Sequence, residues 1–404
     1  MRRGPTPSLR AAFVYTDDYV GYHLSDAHPL QQKRLLMTHR LLDAYGAFSG
    51  PASDLVSPTP ATEGDLLWVH APDYLDALRR LSAGRTVPDP KRFGFGGLDN
   101  PPFAGMWEAS LLYAGGTLEC ARLVSEGGYM AAFNTSGGMH HARRDRAAGF
   151  CTVNDCALAA YALLDHGAAR VAYVDLDAHH GDGVQEIFYD DPRVLTLSVH
   201  ETPETLFPRA SGFADEFGAG AGWGCNANLP LAPGTGDAVA LEAFGATFLP
   251  LLRAFDPEYI LLQVGADAHF SDPLAHLCLT TRGWLSLAQS VLALGKPIIA
   301  LGGGGYNLAT VARLWTLLYG ELSGQAFPDA VPPAYAAEWG ITTLHDAGGP
   351  STDEQQIVFE QVYKRRYPES DLPDARAYAA RSVEVIQANV FPVHGISPAV
   401  RLWA

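Results

Sequence analysis

The sequence predicts a single-domain α/β protein, with three α/β/α layers around a mostly parallel central sheet. Short β-type runs alternate along the chain with longer helical stretches, an order that implies a parallel sheet with helices on both faces. The runs Val171–Val174, Tyr259–Val264 and Ile298–Leu301 are apolar without alternation, as expected of strands that are covered on both faces. With 404 residues, 48% of them hydrophobic and 18% charged, the chain has ample material for one large core.

The predicted elements follow in chain order. The strands are residues 11–15, 66–70, 130–134, 170–175, 194–200, 259–264 and 297–301. The helices lie near residues 31–46, 73–83, 106–126, 154–166, 237–255, 281–294, 307–319, 352–367 and 373–388. Glycine-rich or proline-containing segments predict long loops at residues 86–102, 212–224 and 327–334. We expect residues 331–404 to form a helical extension on the same domain as residues 1–330, and residues 335–404 contain no identifiable chemistry.

Residues 175–183 are the most informative segment of the chain. They read Asp-Leu-Asp-Ala-His-His-Gly-Asp-Gly and follow the apolar run 170–174 directly. Because side chains alternate along an extended strand, Asp175, Asp177 and His179 share one face if the strand geometry persists. A carboxylate and an imidazole two residues apart at the end of a parallel strand suit a catalytic divalent metal. The alternative is a polar strand end with solvated charges, although so many Asp and His residues are costly in a core unless paired or metallated.

Two further strand ends carry polar side chains. Residues 137–141 read Gly-Gly-Met-His-His, and alone they leave a chance loop and a functional site equally open. Residues 265–267 read Gly-Ala-Asp, which is weak evidence because Asp is common where a strand turns into a loop.

Glycines mark two other positions. The four glycines 302–305 precede Tyr306 and let the backbone pass close to a ligand or to another chain segment. No Gly-Lys-Ser/Thr follows them, and Asn307 occupies the place of the last glycine of a dinucleotide fingerprint, so neither phosphate motif is present. The remaining interpretation is a turn that places Tyr306. Residues 149–151 read Gly-Phe-Cys and precede Asn154 and Asp155, which could cap a helix.

The amino-acid composition limits the kinds of binding partner and the cellular compartment to be expected. The net charge of −16, from 44 acidic and 28 basic residues, argues against nucleic acid or an anionic membrane as the main partner. This charge is compatible with lysine-rich substrates but does not by itself select them. The five cysteines are sparse, odd in number and free of Cys-x-x-Cys pairs, which favours reduced thiols. We find neither a signal peptide nor an apolar run near the roughly 18 residues that span a bilayer, so we expect a cytoplasmic protein.

Taken together, these clusters resemble a known family. His-His, Asp-x-Asp-x-His-His-Gly-Asp-Gly, Gly-Ala-Asp and Gly-Gly-Gly-Gly-Tyr occur in that order, each at a strand end. The sequence resembles the histone deacetylase superfamily, within the arginase–deacetylase fold, and is most similar to the class I-type bacterial branch with the acetoin-utilisation deacetylases. The resemblance runs from about Tyr15 to about Leu318. Its further segments are His28-Pro29, Arg34, Met37-Thr38-His39, Asp99-Asn100-Pro101, residues 149–155, residues 228–231 and residues 234–237.

The resemblance implies a metal-dependent deacetylase domain in residues 1–330 that removes the acetyl group from Nε-acetyl-lysine in proteins. Asp177, His179 and Asp267 would bind the metal. Two carboxylates and one imidazole make a harder ligand set than the histidine-rich zinc sites; zinc is the first expectation, and iron(II) or cobalt could substitute.

The catalytic residues implied by the resemblance are His140, His141, Asp175, Asp182 and Tyr306. His141, backed by Asp182, would act as general base for water and then as general acid for the amine. His140, backed by Asp175, would supply electrostatic support. Tyr306 would donate its hydroxyl to the developing oxyanion.

Other positions match the substrate channel and its surroundings. The substrate-binding positions are Asp99, Gly149, Phe150, Phe207 and Leu274, with Phe150 and Phe207 as aromatic walls, Leu274 at the rim and Asp99 holding substrate backbone amides. The matching acetate-release residues are Arg34, Gly137 and Gly138. Asp175 and Ser198 fall where family members bind a structural monovalent cation, usually potassium.

Some residues depart from the family pattern. Met139 replaces a usual leucine and Thr152 a more common tyrosine, two changes expected to be benign. Residues 268–270, Ala-His-Phe, replace a smaller stretch, and we expect His269 either to line the channel mouth or to lie in an exposed loop. Residues 208–212 replace a more glycine-rich loop. The last two changes bear on substrate preference rather than on the reaction.

Three competing functions are less well supported by these residues. A two-manganese ureohydrolase on the same fold needs an aspartate where Gly181 stands, and a paired aspartate beside Asp267. Acetylpolyamines are the main alternative substrate, but their hydrolases tend to carry an acidic gate residue, where this chain has Leu274, or to restrict the channel by dimerisation. An inactive acyl-lysine-binding module is disfavoured by the complete set of ligands and catalytic residues.

The expected partners are acetylated protein lysines, with an acyl-CoA synthetase as one candidate. Nucleic acid and membrane are not expected, and the oligomeric state stays open.

Overall fold

A sheet of eight strands, all paired in parallel, forms the centre of the protein, and helices flank it. The computed structural model describes residues 10–397. The strand order is β2-β1-β3-β8-β7-β4-β5-β6. The strands are β1 Ala11–Val14, β2 Ser53–Val56, β3 Ala131–Asn134, β4 Val171–Asp175, β5 Val194–Glu201, β6 Asn226–Leu231, β7 Tyr259–Gln263 and β8 Ile298–Leu301. The predicted α/β class is confirmed.

The helices occupy most of the intervals between strands. They are α1 Lys33–Ala44, α2 Glu63–Leu66, α3 Pro72–Ser82, α4 Met106–Ser125, α5 Asp155–Asp165, α6 Asp182–Phe188, α7 Asp237–Phe255, α8 Thr281–Leu292, α9 Leu308–Ser323, α10 Pro333–Trp339, α11 Thr352–Val358 and α12 Ala375–Asn389. Short 3₁₀ turns lie at Asp17–Gly21, Pro90–Phe93, Gly220–Gly222 and Phe391–His394, and a π-helical turn at Phe359–Lys364 follows α11 directly.

The central strands bring the polar loops to one edge of the sheet. Every residue of β3, β4, β5 and β8 is buried, as the non-alternating apolar runs predict. Asp175 at the end of β4 pairs in register with Ser198 of β5 and Gln263 of β7. Because all strands are parallel, the loops after β3, β4, β7 and β8 emerge side by side.

One predicted strand is wrong. Residues 66–70 do not form a strand but end α2 and continue into a turn before α3. Thr62 and Asp65 form a capping box that starts α2. Pro72 then begins α3, where its fixed φ is favourable and its missing N–H costs nothing. A local helix start therefore overrides the apolar character of residues 66–70.

Other boundaries also differ from the prediction. Strands β2 and β6 and the short helices α2, α6 and α10 were not predicted, and the predicted helix 352–367 is α11 followed by the π-helical turn. Asn154 does cap α5, because its side chain accepts a hydrogen bond from Ala157 N.

The C-terminal segment, residues 331–397, packs on the same sheet. Helix α12 lies against β6 and α7. Ser382 Oγ donates to Pro230 O over 3.0 Å, and Gln387 Nε2 donates to Ala246 O over 3.0 Å. A small apolar cluster joins this segment to the end of β6; its members are Ala232, Phe359, Tyr363, Leu372 and Ala375. The last seven residues of the expected extension, 398–404, lie outside the described residues.

Of the described helices, α7 alone has the length and the apolar composition that could cross a membrane. Because Asp237, Glu242 and Arg253 interrupt the helix, it is not an uninterrupted apolar run. Its buried face, which includes Phe244, Phe248 and Leu251, packs against α8, α12 and strands β5 and β6, as in the core helix of a globular domain.

Candidate active site

Three metal-ligating side chains converge beyond the ends of β4 and β7. One ligand atom from each of Asp177, His179 and Asp267 lies within 4.8 Å of the others, and all three residues are buried. His179 Nδ1 is 3.2 Å from Asp177 Oδ1 and 2.9 Å from Asp267 Oδ2. The structure thus brings together the three residues that the family resemblance implies as metal ligands, and the group could hold a metal ion.

The electrostatics of this group fit a divalent cation. Burial, and then the nearby Asp177 carboxylate, raise the pKa of Asp267 to about 7. Two carboxylates buried side by side are costly without a compensating positive charge. Two carboxylate oxygens and one imidazole nitrogen leave positions open for water and substrate, as a catalytic metal requires.

Glycine makes this packing possible. A Cβ on Gly304 would lie 2.1 Å from Asp267 Oδ2 and 2.8 Å from Asp177 Oδ2, and one on Gly265 would lie 2.0 Å from Asp177 Oδ2. The backbone instead supports the carboxylates, since Gly304 N donates to Asp177 Oδ2 over 2.7 Å. The close approach expected of the four-glycine run is therefore observed, and its partners are the metal-ligating carboxylates.

Two His–Asp pairs lie beside the metal-ligating group. His140 Nδ1 is 2.8 Å from Asp175 Oδ2, and His141 Nδ1 is 2.7 Å from Asp182 Oδ1. The two Nε2 atoms are 3.0 Å apart. The pairing that the family resemblance implies is thus the pairing found in the structure.

The two imidazoles differ in charge. Burial favours the neutral form of His140, but Asp175 and Asp177 outweigh it and raise the pKa of His140 to about 9. Burial, together with the neighbouring His140, lowers the pKa of His141 to about 4. A neutral His141 that donates Nδ1–H to Asp182 keeps a lone pair on Nε2. His141 can therefore accept a proton while His140 is charged.

Further groups, which the sequence did not single out, hold these carboxylates. Tyr173 OH donates to Asp175 Oδ2 over 2.7 Å, and Arg143 Nη2 donates to Asp182 Oδ2 over 2.7 Å. Although burial opposes it, the hydrogen bond from His141 and the charge of Arg143 lower the pKa of Asp182 to about 2. The position of Arg143, two residues after the His-His pair, was the available sequence signal.

Tyr306 lies at the same site. Its ring is perpendicular to the rings of His179 and Phe150, with centroids 6.3 Å and 5.9 Å away. Its backbone N–H donates to Asp272 Oδ2 over 2.8 Å. Asp272 was not predicted, and its only sequence signal is a carboxylate shortly after Asp267.

Aromatic and glycine residues form the walls beside His141. The Phe207 ring is perpendicular to the His141 ring at 4.9 Å. A Cβ on Gly149 would lie 2.3 Å from His141 Cδ2 and 2.9 Å from Phe207 Cε1. A cavity lined by His140, His141, Gly149, Phe150, Asp177 and Tyr306, together with Gly138, Gly303 and Gly304, joins these walls to the metal-ligating group.

Asp99 and Leu274 lie further out. Asp99 is exposed, and its charge acts on the imidazole of His28, whose ring contacts that of Phe150 at 4.4 Å. Leu274 is half-buried, and its backbone N–H donates to Asp272 Oδ1 over 2.9 Å.

The residues expected at the acetate exit contact the glycine run. Arg34 is 1% exposed, and its Nη1 donates to Gly305 O over 3.0 Å. Gly137 O accepts from Gly303 N over 2.9 Å, and Gly138 O accepts from Gln263 Nε2 over 2.9 Å. Gln263 is a further residue that the sequence did not single out.

Asp175 and Ser198, the pair expected to bind a monovalent cation, are neighbours across β4 and β5. Ser198 Oγ lies 2.8 Å from His200 Nδ1. Both carboxylate oxygens of Asp175 already accept hydrogen bonds, from Asp177 N to Oδ1 and from Tyr173 OH to Oδ2. A cation there would depend on the surrounding backbone carbonyls, and its presence stays a prediction.

His269 lies neither at the channel mouth nor in an exposed loop. It is 1% exposed, and its Nε2 is 3.0 Å from Asp346 Oδ2 in the C-terminal segment. Both expectations for this residue are wrong, because its partner is distant in sequence.

Known proteins share this fold and these segments. The histone deacetylase domain family matches residues 28–322. The acetoin utilization protein AcuC of Bacillus subtilis (strain 168) is 40% identical over 336 residues, which cover 81% of this chain and 86% of that protein. The crystal structure of an HDAC homolog from Aquifex aeolicus has a TM-score of 0.79 at 35% identity and covers 87% of this chain and 99% of its own. The crystal structure of an HDAC homolog complexed with SAHA has a TM-score of 0.78 at 34% identity, with coverages of 88% and 99%.

Proposed function

The chain belongs to the histone deacetylase family, and from that membership and the site geometry we propose that it hydrolyses the amide of Nε-acetyl-lysine in proteins to lysine and acetate. The observation that supports this most directly is the convergence of one metal-ligating group, two His–Asp pairs and Tyr306 on a single cavity. Each part serves a distinct need of amide hydrolysis.

Asp177, His179 and Asp267 would hold a divalent metal. Zinc is the proposed ion, with iron(II) or cobalt able to replace it. When bound, the metal supplies Lewis-acid polarisation of the amide carbonyl and of the attacking water.

His141 moves the proton. Its Nε2 accepts a proton from the water as the water oxygen bonds to the amide carbon. It then returns that proton to the nitrogen of the departing lysine amine, so that the C–N bond breaks without forming an amide anion. Asp182 holds the ring in the tautomer that leaves Nε2 without a proton of its own. His140 keeps its own proton and stabilises negative charge at the reacting centre.

Tyr306 stabilises the oxyanion. Its hydroxyl would donate to the carbonyl oxygen as that oxygen gains negative charge, a role worth on the order of 2–4 kcal/mol. Asp272, which fixes the backbone of Tyr306, keeps the phenol on this side of the cavity.

The walls would hold a lysine side chain. Phe150 and Phe207 would enclose its methylene groups, and the absence of a Cβ on Gly149 lets the backbone lie close to His141 and Phe207. Asp99 and Leu274 would contact the substrate backbone at the rim. Arg34, Gly137 and Gly138 would line the path for acetate, and potassium at Asp175 and Ser198 would support the floor of the site.

The proposed substrates are acetylated lysines of other proteins in the cytoplasm. An acyl-CoA synthetase with a modified lysine is one candidate, in keeping with the similarity to an acetoin utilization protein. The net charge of −16 supports a protein partner rather than nucleic acid or an anionic membrane. The described cysteines are buried and unpaired, as a reducing compartment requires.

Turnover on two substrates tests this function. The zinc-loaded enzyme is given an acetyl-lysine peptide and, separately, N-acetylated spermidine, and kcat/KM is measured for each. We expect the peptide to be the better substrate. A preference for the polyamine would contradict the protein substrate, and stoichiometric metal with turnover of neither would point to an acyl-lysine-binding module.

A further inference from the structure

The C-terminal segment reaches the active site through one buried hydrogen bond between a histidine and an aspartate. His269, two residues after Asp267, faces Asp346, which lies between α10 and α11. Their side chains are 0% and 10% exposed. We propose that Asp346 and His269 position Tyr306 and the rim residue Leu274, so that the C-terminal segment completes the catalytic site. This inference rests on the proposed function.

The hydrogen bonds around His269 define one protonation pattern. Ser271 N–H donates to His269 Nδ1 over 3.2 Å, so Nδ1 is an acceptor and the ring proton sits on Nε2. Nε2 then donates to Asp346 Oδ2 over 3.0 Å. The imidazole therefore joins the loop after β7 to the C-terminal segment with both of its nitrogens engaged.

Arg313 of α9 closes this chain of contacts into a ring. Its Nη1 donates to Asp346 Oδ1 over 2.9 Å, and its Nη2 donates to Thr310 Oγ1 over 3.2 Å. Thr310 Oγ1 is 2.8 Å from Ser271 Oγ, which is 2.9 Å from His269 Nδ1. Along this path each group can donate to the next: Arg313 to Thr310, Thr310 to Ser271, Ser271 to His269 and His269 to Asp346. Hydrogen bonds that are oriented in one sense in this way polarise and strengthen one another.

The ring is attached to Tyr306 at two points. Asn307, the next residue after Tyr306, donates through Nδ2 to Ser271 O and Ser271 Oγ over 3.3 Å and 3.2 Å. Asp272, the next residue after Ser271, accepts from the backbone N–H groups of Tyr306 and Leu274. The oxyanion donor and the rim residue therefore both depend on where residues 271 and 272 are held.

Asp346 also binds the start of helix α8. Its Oδ2 accepts from Thr281 N over 2.7 Å at the start of α8. One carboxylate from the C-terminal segment thus ties together α8, α9 and the loop after β7. Removing this carboxylate would leave Arg313 and His269 without their common partner in a largely buried setting. Loss of one partner costs more stability when the remaining groups are buried than when water can replace it.

The order Ser–His–Asp matches that of a hydrolase triad, but this Ser271 serves a different purpose. Its Oγ is already shared among His269, Thr310 and Asn307. A nucleophile needs a hydroxyl that can leave its partners to attack a substrate. We therefore assign Ser271 to the positioning ring and not to a second reaction.

The chain offers a matched control. His345, the residue before Asp346, pairs with Asp329 through a 2.8 Å contact, but these side chains are 41% and 54% exposed. Exposed pairs contribute little, so Asp329→Ala should leave turnover within about twofold of wild type. Asp346→Ala removes the same chemical group at the buried position.

A double-mutant cycle separates positioning from simple loss of stability. We expect Asp346→Ala to lower kcat on an acetyl-lysine peptide by about tenfold or more, with less change in KM, because small displacements of catalytic groups are costly. In a Tyr306→Phe background the same change should cost less than about twofold. Equal losses in both backgrounds would overturn the proposal. His269→Gln, which retains a donor near the place of Nε2, should keep more activity than His269→Ala.

Amide hydrogen exchange provides a test that needs no substrate. We expect the backbone amides of Leu274 and Tyr306 to exchange at least tenfold faster in Asp346→Ala than in wild type, and to be unchanged in Asp329→Ala. Unchanged exchange in Asp346→Ala would contradict the positioning role whatever the activity. If the wild-type enzyme turns over neither substrate, the proposed function fails, and the exchange result alone decides whether the ring holds these residues.

Discussion

The Nε2 atoms of His140 and His141 lie 3.0 Å apart, while their Nδ1 atoms face two different carboxylates. Two imidazolium rings at this distance would repel each other strongly, so the pair takes up one additional proton more easily than two. The pKa of His140 is raised and that of His141 is lowered, which assigns the proton to His140. The same residue type therefore serves two roles at adjacent positions.

His141→Ala is expected to lose more activity than His140→Ala. Removal of the proton acceptor should lower kcat by roughly 10²–10⁴-fold, whereas removal of the electrostatic support should cost less. The measurement is kcat for both variants at equal metal content. A His140→Ala loss equal to or larger than that of His141→Ala would reverse the two assignments.

Gly304→Ala should destroy the metal-ligating group. The new methyl would meet Asp267 Oδ2 at 2.1 Å, and that carboxylate is confined within the core. We expect bound zinc and activity to fall together, as determined by metal analysis and turnover. Gly245→Ala is the control, since its Cβ meets nothing within 4 Å and lies inside α7. It should stabilise the protein by about 0.5–1 kcal/mol. Normal zinc content in Gly304→Ala would contradict the geometry.

Metal removal should give a distinct pH dependence. The pKa of Asp267 is raised above its ordinary value of 3.8 to about 7, so between these values Asp267 holds more of its proton in the folded metal-free protein than in the unfolded chain. Its own contribution to the stability of the chelated protein should therefore fall as the pH rises from about 4 to about 7. Buried histidines with a lowered pKa, such as His141, act in the opposite direction, so the contribution of Asp267 is measured as the difference in stability between chelated wild type and chelated Asp267→Asn. Thermal unfolding with and without chelator measures this, and added zinc should restore both stability and activity. A difference between chelated wild type and chelated Asp267→Asn that stays constant or rises across this range would show that Asp267 ionises without penalty.

The contact between His276 and Glu201 should respond to pH. Glu201 is fully buried and accepts from His276 Nδ1 over 3.0 Å, and this hydrogen bond raises the pKa of His276 above 6.5. The stabilisation is complete below pH 6.5 and is lost as the pH rises through the raised pKa. The imidazole is 41% exposed, so the effect should stay below about 1 kcal/mol. The difference in Tm between wild type and His276→Gln should shrink from pH 5 to pH 9, and a constant difference would exclude the charged pair.

The sequence predicts the central strands because they are buried on both faces and read as apolar runs. Both missed strands, β2 and β6, are the edges of the sheet. The residues of β2 read Ser-Asp-Leu-Val, and those of β6 include two Asn residues and Pro230. Proline is tolerated at an edge because only one side of the strand is paired in the sheet, so residue preference is uninformative there. Pairing, not local sequence, makes these segments strands.

The candidate site also contains residues that the sequence predicts and residues that it does not. His140, His141, Asp177, His179, Asp267 and Tyr306 follow strands directly, and the parallel order brings strand ends together, so their motifs predict them. Arg143 and Asp272 act through partners 39 and 34 residues away, and Asp346 through a partner 77 residues away. Such contacts depend on the tertiary structure, and neither a single Arg nor a single Asp in a loop indicates them in advance.

Turnover of an acetyl-lysine peptide by wild type and by Tyr306→Phe, both loaded with zinc, is the most direct test of the proposed chemistry. Tyr45→Phe, which removes a phenol that contacts backbone carbonyls far along the chain at Pro328 and Ala330, is the control. We predict release of acetate and lysine by wild type and by Tyr45→Phe, and a loss of roughly 10²–10³-fold in kcat for Tyr306→Phe at unchanged metal content. Wild-type turnover by Tyr306→Phe, or no acetate from fully metallated wild type, would contradict the proposal.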